Sequence, residues 1–267
     1  MLRQAITIIT AVLLLLAIDS PCVYAGVQSG ASTEPLLEPV RVARFAKQVE
    51  RTLAGSGARV AIIARAGRPQ HQLPEGVRYT HVAFAVYSTI SKDNGTTQPG
   101  YAVYNLYQQP DNPDKSSLVQ DYPYEFFAPV TTLTAGVIVP VPEVQKRLLQ
   151  TITGDSYKSL HNPNYSVISN PYNNKTQNCT EFTLNVLQAA IYQNSEMSYV
   201  KAVTRDHFNA KQLDTNPLKL IAAAAFLEAI TLTDHPGPVE IVTFGSIESY
   251  LSRYELIKHV FHLKEAS

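Results

Sequence analysis

The chain has 267 residues, with 22 Lys and Arg against 22 Asp and Glu, so it carries no net formal charge when its histidines are neutral. A neutral chain without a Lys/Arg run lacks the electrostatic signature of nucleic-acid or anionic-lipid binding. Its length and its hydrophobic fraction of 45% suit one elaborated globular domain. The sequence has neither a metal-spaced Cys/His cluster nor a glycine-rich phosphate loop, and we therefore predict no metal and no cofactor.

The N-terminus has the pattern of a secretory signal peptide. A positive charge within residues 1–4 precedes the unbroken apolar run Ala5–Ile18, and Val23-Tyr24-Ala25 supplies the small residues that a signal peptidase reads. The apolar run is shorter than the roughly 20 residues needed to cross a bilayer, which favours cleavage after Ala25 over a permanent membrane anchor. The predicted organisation is a signal peptide at 1–25, a linker at 26–38 and a single domain at 39–267.

The first half of the domain is predicted to contain short strands and two helices. Apolar spacing identifies the elements, and Gly, Pro and Asn residues separate them. In chain order the elements are a helix at Pro39–Leu53, strands at Val60–Ala64, Tyr79–Tyr87 and Tyr101–Tyr107, a loop at Asp111–Lys115, a strand at Val137–Val141, a helix at Pro142–Leu149 and a long loop at Asn162–Gln177.

The second half begins with the segment Cys179–Tyr192, which is apolar nearly all round and is therefore predicted to be a buried helix. The elements after it are a helix at Pro217–Leu232, a turn at Asp234–Gly237, a strand at Val239–Phe244, a helix at Ser246–Tyr254 and a strand at Ile257–Leu263. Strands that cluster before the buried helix, without regular alternation of strand and helix, indicate an α+β fold.

Cys179 is the cysteine on which the chemistry depends. The other cysteine, Cys22, lies in the segment predicted to be removed, which leaves an exported protein with one thiol and no internal disulfide. Asn178 is a good helix N-cap and Glu181 follows three positions later, which places Cys179 at the first helical position. The helix dipole there favours a thiolate, and nearby N–H groups could hold an oxyanion. Alternatively, Cys179 is a small buried hydrophobic residue.

A thiol nucleophile needs a base to take its proton and a further group to orient that base. His81, which opens an apolar strand, is the candidate base, and Asn105 on the next strand is the candidate orienting group. Tyr104 or Tyr101 could face the cleft instead of Asn105. The structural alternatives are a packed strand histidine and an exposed polar residue at a sheet edge.

The order of these residues resembles the circularly permuted, NlpC-like branch of the papain-fold cysteine hydrolases. The resemblance rests on the strand segment from Tyr79 to Phe84, the polar residue on the following strand, and the Asn-Cys-Thr-Glu helix start at Asn178. Three further segments resemble an uncharacterised family of bacterial exported domains over nearly all of the mature chain: Tyr104–Tyr107, Tyr122–Phe127 and Gln177–Leu184. Together these resemblances imply a permuted papain-like fold, in which an antiparallel sheet packs on the buried cysteine helix, and a location in the bacterial periplasm.

The resemblance also implies hydrolysis or acyl transfer at an amide, thioester or ester. It assigns Cys179 as the nucleophile, His81 as the base and Asn105 as the orienting group. The leading interpretation is an exported cysteine hydrolase, with cell-wall peptide as the nearest abundant amide substrate. The alternatives are a periplasmic binding module without catalytic activity on the same scaffold, and a thiol acyltransferase.

Substrate-binding residues are predicted around the cysteine and in the long Tyr- and Asn-rich loop before it. Tyr165 and Tyr172 could donate hydrogen bonds to a substrate carbonyl, and Asn178 adjoins the nucleophile. His161 could line a substrate groove. For the tyrosines, packing against neighbouring side chains is the structural alternative, and His161 could equally be an ordinary exposed loop histidine.

Overall fold

The computed structural model describes residues 35–91, 94–213 and 233–266. The strands are β1 Val60–Arg65, β2 His81–Ser91, β3 Thr97–Gln109, β4 Asn112–Asp121, β5 Thr134–Pro140, β6 Lys211–Gln212, β7 Glu240–Ile241 and β8 Ile257–Lys264. The helices are α1 Pro39–Gly55, α2 Pro123–Phe127, α3 Pro142–Thr153, α4 Ser156–Ser159, α5 Cys179–Tyr192, α6 Met197–His207 and α7 Phe244–Arg253, and a 3-10 turn spans Gln70–Gln72.

Six of the strands form one antiparallel sheet in the order β4-β3-β2-β1-β5-β8, while β6 and β7 form a separate two-stranded pair. Each pairing within the large sheet is antiparallel. The predicted α+β class with an antiparallel sheet is therefore confirmed.

Hydrophobic cores cover both faces of the sheet. The first core joins the buried stripe of α1, which includes Phe45 and Val49, to Ala83 and Ala85 of β2. The second core joins α3, α5 and α7 to the alternate β2 residues, such as Phe84. Because both faces are covered, all six residues of β1 are buried, and the first five, Val60–Ala64, form a continuous apolar run.

Helix α5 is buried in every residue from Cys179 to Ala190, as its apolar sequence predicts. It packs against α3, α6 and strand β2. The buried carboxylate of Glu181 accepts hydrogen bonds from Lys201 Nζ of α6, at 2.5 Å, and from the hydroxyl of Ser169. A buried ion pair therefore joins α5 to α6.

Several predicted elements need correction. The loop predicted at Asp111–Lys115 is wrong for its last four residues, because β4 begins at Asn112. Strand β4 pairs with β3 at Asn112 and from Ser116 to Asp121, and it is an edge strand because it stands first in the sheet order. The strand predicted at Val239–Phe244 is reduced to two residues, since α7 already begins at Phe244. Helix α6 was not predicted.

Other predictions lie outside the described residues. They are the signal peptide at 1–25 with Cys22, the linker up to residue 34, and the helix at Pro217–Leu232. Within the described ranges, every helix is too short or too polar to cross a membrane.

Candidate active site

The first turn of α5 is built as the sequence predicts, with Asn178 as its cap. The Asn178 side-chain oxygen accepts hydrogen bonds from the backbone N–H groups of Thr180, at 3.1 Å, and Glu181, at 3.0 Å. Its side-chain nitrogen donates to the carbonyl oxygen of Val167 at 3.0 Å. The cap uses two N–H groups that could have held an oxyanion, and leaves the N–H of Cys179 itself without a partner among the described residues.

Cys179 is buried where the helix meets the first residues of β2. Its Sγ lies 3.9 Å from the carbonyl oxygen of Thr80 and 3.7 Å from the hydroxyl of Thr180. Burial raises the pKa of the thiol, and the backbone N–H of Val82 and the Thr180 side chain oppose that rise by stabilising the thiolate. The thiol is therefore the favoured form in the closed structure.

His81 is held by a hydrogen bond on one side of its ring. Its Nε2 lies 2.9 Å from Asn105 Oδ1, and the ring stacks on Tyr107 with 4.9 Å between centroids. Its Nδ1 has no hydrogen-bond partner among the described residues. Burial lowers the pKa of His81 well below its usual value and the charge of Arg65 lowers it further, so the ring is neutral near pH 7.

The neighbours of Asn105 fix the direction of its amide. Its Nδ2 donates to Asp121 Oδ1 at 2.5 Å and to the carbonyl oxygen of Val103 at 3.3 Å, which turns Oδ1 toward His81. Since Oδ1 can only accept, Nε2 of the neutral ring carries the proton and Nδ1 carries the lone pair. The second carboxylate oxygen of Asp121 accepts from the Tyr107 hydroxyl at 2.7 Å.

His81 and Asn105 are in direct contact, but no hydrogen bond joins His81 to Cys179. The His81 ring packs against Phe126, with 5.6 Å between centroids, and Phe126 belongs to the core on the α1 side of the sheet. Cys179 belongs to the core on the α5 side and touches the strand through its backbone. The sulfur thus approaches the backbone on either side of His81 in the chain, at Thr80 and Val82, while the His81 ring packs in the other core.

A small cavity of about 10 Å³ adjoins the thiol, which is about the space of one water molecule. Its walls are the start of α5, the segment before β2 from Val77 to Thr80, the loop residues Tyr165 and Val167, and the segment Ile241–Thr243. An acyl substrate cannot enter this cavity unless its walls separate.

The three predicted substrate-binding residues lie in different surroundings. Tyr165 is buried and lines the small cavity beside Cys179. Asn178 also lines it, but its amide is already engaged in capping α5. Tyr172 lies elsewhere, since its hydroxyl donates to the carbonyl oxygen of Phe208 at 3.5 Å and accepts from the N–H of Ala210 at 3.2 Å. A role in substrate binding therefore remains a prediction for all three.

Comparison with known protein families gives a match over most of the chain. The model of a family described as an uncharacterised protein conserved in bacteria, DUF2145, matches residues 52–251. This match covers most of the chain, including Cys179, His81 and Asn105. The chain belongs to the DUF2145 family. No curated protein and no solved structure matches it.

In this DUF2145 protein, three polar residues around His81, two of them buried and one partly buried, were not predicted from the sequence. They are Arg65, Tyr107 and Asp121, whose charges and hydrogen bonds surround the His81–Asn105 pair. Arg65 directly follows the apolar run of β1 and is fully buried, and its Nη1 donates to the carbonyl oxygen of Phe126 at 2.7 Å. The sequence did contain a signal for Arg65, namely a charged residue directly after the apolar run of a predicted strand. Asp121 was missed because β4 was not predicted.

Metal binding has no support in the described part of the chain, where no group of three or more His, Cys, Asp or Glu side chains is arranged to hold an ion. The polar groups that approach His81 are an amide, a carboxylate, a phenol and a guanidinium. They form a hydrogen-bonded network suited to holding one imidazole in one tautomer.

Proposed function

We propose that this DUF2145 protein is an exported cysteine hydrolase that acts on an amide, with Cys179 as nucleophile and His81 as base, on a permuted papain-like, NlpC-like fold. The main support for the proposal is the protonation and hydrogen bonding of the His81 ring. Asn105 holds Nε2 with its proton, while the Nδ1 lone pair has no partner among the described residues. The backbone on either side of His81, at Thr80 and Val82, contacts the Cys179 sulfur. An acceptor in this state is what a thiol nucleophile requires.

In the proposed reaction, opening of the site brings His81 Nδ1 within hydrogen-bond reach of the Cys179 sulfur, and the thiol proton passes to Nδ1 as the sulfur attacks the carbonyl carbon of the amide. A carbon–sulfur bond forms, and the N–H of Cys179 is available to the developing oxyanion. The imidazolium then gives its proton to the departing amine as the carbon–nitrogen bond breaks. Water hydrolyses the thioester and restores the thiol.

The closed cavity adds one requirement to this reaction. Because the space beside Cys179 holds about one water, the walls contributed by Tyr165, Val167 and Ile241–Thr243 must separate before a substrate carbonyl reaches the sulfur. The same separation lets water reach the thiol and the ring, which relieves the burial that raises the pKa of Cys179 and lowers that of His81. Substrate entry and thiol activation are therefore expected to occur together.

Cell-wall peptide is the substrate that the predicted export favours. The test is to incubate peptidoglycan fragments with the native protein and with Cys179→Ala, His81→Gln and the matched control His259→Gln, whose histidine is exposed on β8. Loss of a general base typically costs about 10²–10⁴-fold in rate, so we expect cleavage to fall by this factor in His81→Gln and not in the control. Equal product release by the native and Cys179→Ala proteins would end the hydrolase proposal.

A binding module without catalytic activity is the second candidate, because the thiol is fully enclosed and its pKa is raised. Alkylation of Cys179 by iodoacetamide, with and without peptidoglycan fragments, separates the two candidates. For the hydrolase we expect fragments to change the labelling rate and His81→Gln to reduce it. A binding module predicts slow labelling that is insensitive to the residue at position 81. Transfer of the acyl group to an added amine instead of water would indicate an acyltransferase.

A further inference from the structure

A second, larger cavity lies away from Cys179, against the outer edge of the sheet. It has a volume of about 610 Å³ and lies between β4, the end of α3 and the short helix α4. Its lining includes Tyr104, Leu118, Ile152, Tyr157, Lys158 and His161. This volume falls within the range of natural ligand sites, which is about 300–1,000 Å³. We refer to it as the β4 groove.

The edge strand of the β4 groove offers backbone hydrogen-bonding groups. On the side away from β3, the N–H of Ser116 donates to the carbonyl oxygen of Pro163 at 2.9 Å, and the carbonyl oxygen of Asp114 accepts from the N–H of Tyr165 at 2.7 Å. Backbone groups of alternate residues point the same way along a strand, so those of Leu118 and Gln120 also point outward. No described residue supplies a backbone partner for them.

The segment Pro163–Tyr165 shows how this edge accepts a neighbour. It lies beside the first residues of β4 and forms an antiparallel bridge between Lys115 and Asn164. Its contact with the edge ends at Ser116, and within the described ranges the edge is open from the next outward-pointing residue, Leu118. An extended chain placed at Leu118–Gln120 would continue an arrangement that the protein has already begun.

The side chains of the groove suit a peptide better than a single charged ligand. Its floor is the partly buried Tyr104 and Leu118 with the buried Ile152 and Tyr157. Tyr157 is 6% exposed, and its hydroxyl has no hydrogen-bond partner among the described residues. That hydroxyl is itself buried, so the surface that the floor offers to a ligand is apolar and aromatic.

Polar groups bound the β4 groove at its rim. The Ser116 hydroxyl and His161 Nε2 lie 2.9 Å apart at one end, and burial lowers the pKa of His161, which favours its neutral form. Lys158 and Asp155 are exposed and contribute one charge of each sign. A rim without excess charge does not select a strongly anionic or cationic ligand.

We infer that the β4 groove binds an extended peptide, which adds to the sheet as a strand beside Leu118 and Gln120 and places an apolar side chain on the floor formed by Tyr104, Leu118 and Tyr157. Strand addition uses backbone hydrogen bonds for affinity and side-chain pockets for selectivity. This binding does not require the Cys179 thiol, so it is independent of the proposed hydrolysis.

The test uses a positional-scanning library of acetylated, amidated pentapeptides and backbone-amide NMR of the full chain. We expect peptides with apolar residues at alternate positions to bind with a Kd below about 1 mM and to shift the amide signals of β4 and α4. N-methylation of the peptide amides that face β4 should weaken binding roughly tenfold or more, because each methyl group removes a strand hydrogen bond. N-methylation of the alternate amides should have little effect.

One variant and its control connect binding to the groove. Leu118→Arg should abolish binding, whereas the control Val40→Arg, on an exposed position of α1, should not. The shifts must also persist in Cys179→Ala.

Three results would overturn the inference. The first is a library with no member that binds at about 1 mM, and the second is binding that maps away from β4 and α4. The third is equal affinity for N-methylated and unmodified peptides or for small aromatic compounds, which would make the groove a small-molecule pocket. Thermal melting of each variant separates loss of binding from loss of folding.

Discussion

The amide of Asn105 can turn either its oxygen or its nitrogen toward His81, and the residues behind it decide which. The Asp121 carboxylate and the Val103 carbonyl can only accept hydrogen bonds, so they attract the amide nitrogen and leave the oxygen for the imidazole. Asp121 therefore determines which ring nitrogen of His81 carries the proton, although it does not touch that ring through a hydrogen bond of its own.

Asp121 should make stability depend on pH in the opposite sense to an ordinary paired carboxylate. Burial raises its pKa to about 6, and the hydrogen bonds from Tyr107 and Asn105 offset only part of that rise. Between pH about 4 and 6 the folded state holds more protons than the unfolded state, so this contribution to stability is present at low pH and is lost as pH rises. We expect Asp121→Asn to remove a decline of about 1–3 kcal/mol over this window.

Urea unfolding at pH 4, 5, 6 and 7 measures this effect of Asp121. Asp114→Asn, at an exposed position of the same strand, is the matched control. Parallel curves for the native protein and Asp121→Asn would show that Asp121 is ionised with an ordinary pKa in the folded state. The network around Asn105 would then need a different explanation.

His81 should contribute with the opposite sign. Its pKa in the folded state lies well below the value of about 6.5 in an unfolded chain, so the unfolded state takes up a proton first as pH falls. Stability is complete above pH about 6.5 and declines below it, by up to about 1.4 kcal/mol per pH unit. His81→Gln should remove this decline in urea unfolding, and His259→Gln should retain it. An unchanged slope in His81→Gln would contradict a neutral buried ring.

At the scale of elements, the ion pair between α5 and α6 is a sharp test of how the buried helix is held. Lys201→Met leaves the Glu181 carboxylate buried beside Ser169 without its cation, and we expect a loss of about 3–5 kcal/mol in the free energy of unfolding. The double variant Lys201→Met with Glu181→Gln should recover most of that loss. Chemical denaturation measures the free energy of unfolding of both variants. A loss below about 1 kcal/mol for Lys201→Met would show that this buried pair contributes no more than an exposed ion pair.

The sequence predicts those elements whose stability is decided locally. Helix α1 begins at Pro39 and carries an apolar stripe, and α5 has an Asn cap followed by an unbroken apolar segment, so the start of each helix was predicted correctly. Strand β4 was missed because Asp111–Lys115 is polar and contains a proline. Pairing with β3, at Asn112 and from Ser116 to Asp121, makes this segment a strand. An edge strand tolerates a polar sequence with a proline because one side of it has no strand of the sheet beside it.

The candidate site was predicted only in part for a related physical reason. His81 and Asn105 lie on adjacent predicted strands, and alternation along those strands brought them together as expected. The position of Cys179 relative to His81 depends on how α5 packs on the sheet, which no local pattern encodes. Arg65 and Asp121 come from strands at two other positions in the sheet order, so their approach to His81 follows only from the complete topology.

At the scale of the whole molecule, Gly136 is a point where distant parts of the chain meet. It lies on β5 between β1 and β8, and a Cβ there would come within 2.7 Å of the rings of Phe244 and Tyr79. The Tyr79 hydroxyl in turn lies 3.0 Å from His262 Nδ1 on β8. This glycine allows α7 and the segment before β2 to pack on the same part of the sheet.

We expect Gly136→Ala to destabilise the protein by about 1–3 kcal/mol through overpacking. Gly55→Ala, where a Cβ would meet nothing within 4 Å, is the control. Thermal unfolding followed by circular dichroism measures both changes. A neutral Gly136→Ala variant would show that the rings of Tyr79 and Phe244 can move aside without cost.

The enclosure of Cys179 has a consequence for the protein's behaviour in an oxidising compartment. It is the only cysteine among the described residues, and its sulfur is surrounded on all sides except for a space of one water. A mixed disulfide with glutathione or with a second chain requires direct access of another sulfur, which the closed form denies. Such a thiol can survive for long periods among oxidants. If the proposed opening admits a substrate, it also exposes the sulfur, so redox damage to this protein should then increase during turnover.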